Sequence, residues 1–304
     1  MNEIDLNDII DFLWSRIILI CASSFLFACL ASVVALNLKE IYTSEAMLQI
    51  SEGSFGGQSS LSSSAQGLAS LAGINLNSGS QGKDRSPDYV EAKIRSRVFF
   101  DHLLTFPNVR QGIYAGESFD PDTTEIIYDS GVFNSSTKEW FTNNTKRKGE
   151  FPSNQETHRL FLSQLSTTTD KKTGFIYLTY EHSSPFFAKD LVELIVDELN
   201  NLQRSQDLNQ YEKEMEYLLK QKSSNKLLFL EQSISSLLMN LLQEQTLANS
   251  KDQYLVEYID TPYAPESRSW PLRTRLVLIS TFIFSIIFVF SLLFRRFVLE
   301  KNTK

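Results

Sequence analysis

Ile17–Leu36 (IILICASSFLFACLASVVAL) and Leu276–Phe294 (LVLISTFIFSIIFVFSLLF) are two charge-free apolar stretches near the two ends of this sequence. As helices rising about 1.5 Å per residue, each reaches roughly 30 Å, which is the thickness of the hydrocarbon core of a bilayer. The residues between the two stretches are mostly polar. The pattern therefore predicts two membrane-spanning helices, with both termini on one side of the membrane and residues 38–275 on the other.

A secretory signal peptide is the main alternative for the first stretch. A signal peptide begins with a positively charged region, whereas the charged residues before this stretch are all acidic apart from Arg16. The apolar run is also too long, and no A-x-A-like cleavage site follows it. We therefore predict transmembrane helices at 17–37 and 276–294, with short cytoplasmic segments at 1–16 and 295–304. Basic residues flank both sides of the spans in similar numbers, so charge alone orients the protein only weakly.

Three segments between the spans have the composition of β-strands. Residues 42–50, 175–180 and 254–259 combine β-branched, aromatic and apolar residues, and turn residues precede the second of them. They predict a small sheet near the membrane. Residues 51–82 are rich in Gly and Ser, which predicts a mostly mobile loop, with a short helix around 65–73 as the alternative.

Two shorter helices are indicated by their start signals. Ser86 precedes Pro87, which suits an N-cap followed by the first helical position, and predicts a helix over Pro87–Leu104. Ser153-Asn-Gln-Glu156 has the pattern of a capping box and predicts a second helix that ends near Leu165. The apolar stripe of the first helix is predicted at Val90, Ile94, Val98 and Phe99.

The longest helical pattern begins at Ser184-Pro185 and continues to residue 250, with a polar interruption at Ser223-Ser-Asn225. One straight helix of this length reaches roughly 100 Å. The chain after residue 259 is too short to return from that distance, since an extended chain covers at most about 3.6 Å per residue. We therefore predict that the chain folds back near the interruption as a helical hairpin. The predicted fold class is α+β, with a helical arm at 184–250 and a base at 38–183 and 251–272.

The sequence contains no recognisable catalytic, metal-binding or cofactor-binding pattern. His102, His158 and His182 are scattered, with no H-E-x-x-H pair, and are expected at the surface. The sequence also has no P-loop and no G-x-S-x-G element. The net charge of −7 argues against a nucleic-acid partner. We therefore predict no catalytic residue, no metal and no cofactor, although a pair of carboxylates for glycoside hydrolysis remains an alternative.

The first apolar stretch carries small residues at helical spacing. Ser24, Ala28 and Ser32 recur every four residues, which is a pattern that lets membrane helices approach closely. Both cysteines, Cys21 and Cys29, also lie in this stretch, so the extramembrane domain forms no disulfide. That cysteine usage is compatible with a bacterial periplasm.

Several short motifs resemble, in their order and their position relative to the spans, the Wzz-type chain-length determinants, also called polysaccharide co-polymerases. The prolines before the second span are the most telling, because they stiffen an extended connection into the bilayer. The second span departs from the family in lacking the glycines that many members have there. The matching residues are Glu3, Ile4, Asp5 and Leu6 before the first span, Ala92, Ser96 and Arg97, Pro185 at the start of the long helix, and Pro262, Pro265 and Pro271.

This resemblance implies a non-enzymatic protein of the bacterial inner membrane, with two spans and a periplasmic main domain. It implies a ring-like homo-oligomer that sets the chain length of O-antigen lipopolysaccharide made by a separate polymerase. The implied partners are further copies of the chain, the polymerase, the lipid-linked glycan and the lipid bilayer. Segment 51–82 is more similar to the capsule and exopolysaccharide branch, so an export co-polymerase working with a separate kinase stays open. A periplasmic ligand-sensing membrane protein is a further alternative.

Overall fold

The structure is a computed structural model that describes residues 13–51, 86–141, 152–224 and 228–295, with only the helical backbone at 224 and 228–230. The predicted loop at 52–82 lies outside the described residues. The chain divides into two compact units, Met1–Tyr42 with Ser267–Lys304, and Thr43–Glu266. The first unit contains both apolar helices, and the second contains the base and the arm.

The described elements confirm the α+β fold class, with apolar helices near both ends and a helical arm. A four-stranded sheet has the order β6-β7-β1-β8, and two further strand pairs are β2-β3 and β4-β5. The elements are α1 (Ile17–Leu36), β1 (Tyr42–Ile50), α2 (Pro87–Ile94), α3 (Arg97–Leu103), α4 (Val109–Ala115), β2 (Gly116–Phe119), β3 (Ile126–Tyr128), β4 (Phe133–Asn134), β5 (Glu139–Trp140), α5 (Asn154–Gln164), β6 (Leu165–Thr169), β7 (Ile176–His182), α6 (Pro185–Ser224), α7 (Leu228–Ser250), β8 (Val256–Asp260) and α8 (Arg273–Phe294).

The sheet forms from the three segments whose composition predicted strands, together with β6. Burial alternates along β7, where Ile176, Leu178 and Tyr180 are buried and Tyr177 and Thr179 are partly exposed, as expected for a strand with one face on a core. Both β6 and β7, and likewise β1 and β8, pair in antiparallel orientation. The predicted strands are therefore confirmed, with ends displaced by one or two residues.

The predicted helix over Pro87–Leu104 is wrong in one respect, because the structure breaks it into α2 and α3. Helix α2 ends at Ile94 with Arg95 as its C-cap. Ser96 is the N-cap of α3, and its Oγ accepts a hydrogen bond from the backbone N–H of Phe99 at 3.3 Å. The break turns the later residues, so that Val98, predicted on the apolar stripe, is 81% exposed. The start of the helix is as predicted, since Ser86 Oγ accepts from the N–H of Tyr89 at 3.1 Å. The other predicted stripe residues, Val90, Ile94 and Phe99, are buried.

Helix α5 starts after Ser153, as predicted, and Ser153 forms the N-cap half of the capping box. Ser153 Oγ accepts a hydrogen bond from the N–H of Glu156 at 3.2 Å, which satisfies one of the free amides of the first turn. The Glu156 carboxylate accepts from the hydroxyl of Tyr114 at 3.0 Å, which connects α5 to α4.

The main core lies between the sheet and the first turns of α6. Leu191, Ile195 and Leu199 recur at helical spacing and are fully buried against residues of β1 and β7 such as Leu48 and Leu178. Burial of each such side chain contributes about 1.5–3 kcal/mol. The apolar face of α6 therefore fixes this helix to the sheet before it continues as the arm.

The arm is a helical hairpin, as the length argument predicted. Lys222 Nζ of α6 donates to Ser235 Oγ of α7 at 3.2 Å, so the two helices are paired close to the turn. Nearer the base, Tyr211 packs with Ala248 and Tyr254. The helices are therefore antiparallel, and residues 225–227 between them lie outside the described residues.

Two glycines allow close packing here, since Gly112 of α4 faces Phe187 of α6 and Gly116 of β2 faces His182 of β7. A Cβ on Gly112 would lie 2.2 Å from Cε2 of Phe187, and a Cβ on Gly116 would lie 2.6 Å from Nε2 of His182. Neither distance is compatible with a larger residue unless the neighbouring ring moves. Glycine at these positions is thus required by packing.

Candidate functional site

Helices α1 and α8 are long and apolar enough to cross a membrane, with mean hydropathies of 2.6 and 2.8. The most apolar part of each helix is not buried by the rest of the protein. This exposure argues against core helices of a water-soluble fold. The two helices pack in antiparallel orientation, with the rings of Phe27 and Phe284 stacked at 4.2 Å between centroids. These contacts define an apolar pair that could serve as a membrane anchor.

The small residues predicted for close packing lie partly buried on α1. Ser24 Oγ is 2.8 Å from Ser285 Oγ of α8, close enough for a hydrogen bond. Ser32 Oγ donates to the carbonyl oxygen of Ala28 within its own helix at 2.8 Å. The structure thus places Ser24 against α8, and a shared packing role for Ser24, Ala28 and Ser32 stays a prediction.

A charged cluster lies where α1 ends and α8 begins, and we call Glu40, Arg268 and Arg273 the anchor junction. The carboxylate of Glu40 is 2.8 Å from Nη1 of Arg268 and 3.0 Å from Nη2 of Arg273. Arg273 also donates from Nε to the carbonyl of Ala35 at 3.1 Å and from Nη2 to that of Leu36 at 3.2 Å. These carbonyls belong to the last turn of α1 and lack partners within the helix. One arginine therefore caps the end of α1 from the start of α8.

The pKa of Glu40 is lowered in this cluster. Partial burial acts in the opposite direction, but hydrogen bonds from Tyr42 and Arg268 and the charges of Arg268 and Arg273 outweigh it. A carboxyl group with a lowered folded-state pKa stabilises the fold above its unfolded pKa, near the ordinary value of 4.5, and this contribution is lost as the pH falls through the folded-state value.

We expect the Glu40→Gln variant to lose this pH-dependent stabilisation. At neutral pH the variant should melt at a lower temperature than the wild type, and the difference should shrink as the pH is lowered below about 4. Thermal unfolding of both proteins in detergent, over a series of pH values, measures the difference. A Glu45→Gln variant, which changes an exposed carboxylate of β1, is the control. A constant difference between Glu40→Gln and wild type at all pH values would contradict the prediction.

Asn200, a residue that sequence reasoning did not select, attaches the returning chain to the arm helix. Its side chain is 2% exposed. Asn200 Oδ1 accepts from the N–H groups of Leu255 and Val256 at 2.7 and 2.9 Å, and Nδ2 donates to the carbonyl of Val256 at 3.0 Å. The amide thus satisfies three buried backbone groups at the start of β8.

A polar network next to Asn200 connects α2 to the base of the arm. Lys93 Nζ donates to the side-chain oxygens of Gln203 and Gln206 of α6. Gln203 Nε2 donates to Asp207 Oδ1 at 2.9 Å, and the hydroxyl of Tyr254 donates to Asp207 Oδ2 at 2.8 Å. Burial first, and then the neighbouring Tyr211 and Asp207, raise the pKa of Tyr254, so its hydroxyl remains a donor. The root of the arm is therefore held by directional contacts as well as by apolar packing.

Further along the arm, large apolar side chains face solvent on both helices. We call Tyr217 and Leu219 of α6 with Met239 and Leu242 of α7 the apolar arm surface. Their exposed fractions range from 44% to 67%. Tyr217 and Leu219 are two positions apart and therefore lie on opposite sides of α6, whereas Met239 and Leu242 lie on one side of α7. The arm thus exposes apolar side chains on more than one side.

The three histidines do not form a site. The prediction that all lie at the surface is wrong for His182, which is buried. His182 Nδ1 accepts from the N–H of Ser184, and Nε2 lies 2.9 Å from the carbonyl of Gly112, so this side chain connects the start of α6 to α4. His102 Nε2 lies 2.6 Å from Glu198, and His158 Nε2 lies 3.1 Å from the carbonyl of Arg95. Within residues 13–51, 86–141, 152–224 and 228–295, no group of three or more His, Cys, Asp or Glu is placed to hold a metal.

Comparison with known proteins identifies the N-terminal part of the chain. Residues 2–91 match the Wzz family, chain length determinant protein. The match covers α1, β1 and the first part of α2, and it confirms the resemblance to Wzz proteins that the sequence motifs indicated. No curated protein sequence matches this chain.

Two solved structures are similar over most of this chain. One is a full-length bacterial polysaccharide co-polymerase, with 14% identity, a TM-score of 0.41, and coverage of 99% of this chain and 100% of the other. The second is a fragment of WzzB, the polysaccharide co-polymerase from Salmonella Typhimurium, with 12% identity, a TM-score of 0.32, and coverage of 76% and 100%. The resemblance to Wzz proteins rests on residues 2–91, because both structural similarities have low identity and low TM-scores.

Apart from Ala92, the described residues that carried the resemblance to Wzz proteins begin or cap helices or lie in the connection to α8. Glu3, Ile4, Asp5 and Leu6 lie outside the described residues. Ala92 is exposed on α2, Ser96 caps α3, and Arg97 is the exposed first residue of α3. Pro185 is the buried first residue of α6. Pro262 and Pro271 are buried and Pro265 is partly buried, in a connection that contains no helix. Their roles in a Wzz-type function stay predictions.

Proposed function

We propose that this protein is a homo-oligomeric co-polymerase of the bacterial inner membrane that regulates the chain length of O-antigen lipopolysaccharide. The observation that carries the proposal is the Wzz match over residues 2–91. In this proposal the protein is not an enzyme. A separate polymerase extends the lipid-linked glycan, and the co-polymerase determines the length at which extension stops.

The anchor pair supports the membrane part of the proposal. Two antiparallel apolar helices place the end of α1 and the start of α8 on the same side of a bilayer, and the anchor junction lies at that boundary. We propose that both termini are cytoplasmic and that residues 38–275 are periplasmic. In this orientation the base and the arm are on the side where lipid-linked O-antigen is polymerised.

The apolar arm surface supports the assembly part of the proposal. Each exposed Leu or Met side chain that becomes buried against another subunit stabilises the contact by about 1.5–3 kcal/mol. A second copy of the chain brings the same surface, so identical arms can pack side by side. An assembly of this kind presents repeated copies of one surface to the growing polymer, and its geometry rather than a single reactive group determines the length.

A capsule or exopolysaccharide co-polymerase that works with a separate kinase is the second candidate. The Gly/Ser-rich segment 51–82 favours this branch, because it is more similar to that branch of the family than to the O-antigen branch. The two candidates differ in which polymer they regulate, and the same deletion experiment distinguishes them.

Deletion of the gene is expected to broaden the length distribution of O-antigen without stopping its synthesis. A regulator that sets an end point leaves the polymerase active, whereas the loss of an enzyme would remove a step. Gel electrophoresis of lipopolysaccharide from wild-type, deleted and complemented cells measures the distribution, and capsule and exopolysaccharide are analysed in parallel.

Complementation with the full-length gene should restore the modal length. Complete loss of the polymer in the deleted strain would contradict a regulatory role and favour an enzyme. A change confined to capsule or exopolysaccharide would assign the protein to the second candidate. An unchanged length distribution for every surface polymer would contradict both.

A further inference from the structure

A groove of about 490 Å³ lies where α4, β3 and the first turns of α6 meet. Its floor is apolar and is formed mainly by Val109, Phe187, Leu191 and Leu194, with the ring of Tyr128 on one side. The volume is within the range of about 300–1,000 Å³ that small-molecule sites occupy. The groove is separate from the anchor pair, the anchor junction and the apolar arm surface.

Polar groups stand at the rim of this groove. The amide of Asn108 does not cap α4, although asparagine often serves as an N-cap. In the described part of the chain, the Glu125 carboxylate forms no ion pair, whereas Asp190 forms an exposed ion pair with Lys189 at 3.7 Å. Burial, together with the charge of Glu125, raises the pKa of Tyr128, so its phenol remains a hydrogen-bond donor.

The backbone of the rim is strained. Asn108 and Thr124 both line the groove, and both have positive φ values, 65° and 60°. The left-handed region is unfavourable for a β-branched residue such as threonine, and residues held there concentrate at ligand sites. Asparagine adopts the left-handed conformation readily, so the costly conformation at this rim is that of Thr124.

The composition of the groove defines the ligand that it fits. The described lining contains no Lys or Arg, which disfavours phosphate or carboxylate ligands. Carboxylates accept hydrogen bonds from hydroxyl groups, and an amide both accepts and donates them. An aromatic ring with an apolar floor contacts the C–H face of a sugar ring. We propose that this groove binds neutral sugar residues of the polysaccharide whose length the protein controls. This inference rests on the proposed function, which supplies a polysaccharide as the ligand.

A binding experiment with the full-length protein tests the proposal. The protein is kept in a detergent whose head group is not a sugar. The probe is the set of short neutral oligosaccharides obtained from the host's own surface polysaccharide by mild acid. Binding is followed by saturation-transfer NMR and calorimetry. The double variant Glu125→Ala, Asp190→Ala should bind the oligosaccharides with an affinity lower by about tenfold or more, since each change removes a charged hydrogen-bond acceptor.

A matched control comes from the same loop. Asp122 is exposed and does not line the groove, so Asp122→Ala should bind the oligosaccharides like the wild type. Wild-type binding should change little between low and high NaCl, because no ionic contact to the ligand is involved. Equal binding by the double variant and the wild type would overturn the proposal, and so would a steep loss of wild-type binding with salt.

Three further outcomes show whether the groove inference, the proposed function or neither is wrong. If the double variant loses oligomeric state but keeps glycan binding, the groove is a contact between copies and the proposal is wrong. If gene deletion leaves every length distribution unchanged while oligosaccharides still bind in the groove, the result contradicts the proposed function but supports the binding site. If deletion broadens the distribution while the double variant binds normally, only the groove inference fails.

Discussion

Replacing Asn200 with alanine is expected to lower the free energy of unfolding by about 3–5 kcal/mol, because it leaves two buried N–H groups and one buried carbonyl without their partner. Leu255 and Val256, which carry these groups, are fully buried, so water cannot readily replace the lost amide. A loss of this size corresponds to a melting temperature lower by roughly 10 °C in a domain of this size. Thermal unfolding of the full-length protein in detergent, followed by circular dichroism, measures the change.

The neighbouring residue supplies the control. Asn201 is exposed and hydrogen-bonds to Glu198 and Arg204 at the surface, so Asn201→Ala should change the stability by less than about 1 kcal/mol. Similar shifts for the two variants would show that the buried amide has no special role and would contradict the prediction.

Charges placed on the apolar arm surface are expected to dissociate the proposed homo-oligomer. The double variant Leu219→Lys, Met239→Lys removes two apolar contacts per subunit, each contributing about 1.5–3 kcal/mol when buried, which weakens association by roughly 10²–10⁴-fold. Both side chains are more than half exposed within one chain, so the variant should keep its fold. Light scattering of the detergent-solubilised protein at micromolar concentration should give the mass of an assembly for the wild type and a smaller mass for the variant.

A control with the same added charge isolates the apolar contribution. Gln210 and Gln243 are exposed polar residues of the two arm helices, and Gln210→Lys, Gln243→Lys should leave the assembly intact. A wild-type protein that is a monodisperse monomer, or a Leu219/Met239 variant with the wild-type mass, would be evidence against assembly through the arm.

The features that the sequence predicted well depend on long, repeated patterns. The apolar stretches at 17–36 and 276–294 correspond to α1 and to most of α8, because length and hydrophobicity alone decide such helices. The helical hairpin was predictable from distance, since a single rod could not return in the residues available. Strands β1, β7 and β8 followed from composition within one or two residues.

The features that the sequence did not predict depend on single residues in tertiary context. Ser96 divides a helix whose apolar spacing looked continuous, because a serine can cap as well as continue a helix. His182 and Asn200 are polar residues whose burial requires partners that are distant in sequence, Gly112 and Val256. The groove beside Asn108 and Thr124 is formed by residues of three separate elements, so no local sequence motif predicts it.

The cap that Arg273 places on α1 has a consequence for the order of events during synthesis. The arginine and the carbonyl of Ala35 are 238 positions apart in the chain, so the first apolar helix is made long before its cap exists. Until α8 follows, the last carbonyls of α1 depend on water or lipid head groups at the membrane boundary. The paired anchor can therefore form only after the entire intervening domain has been synthesised, and a chain that stops early retains a first helix without its partner.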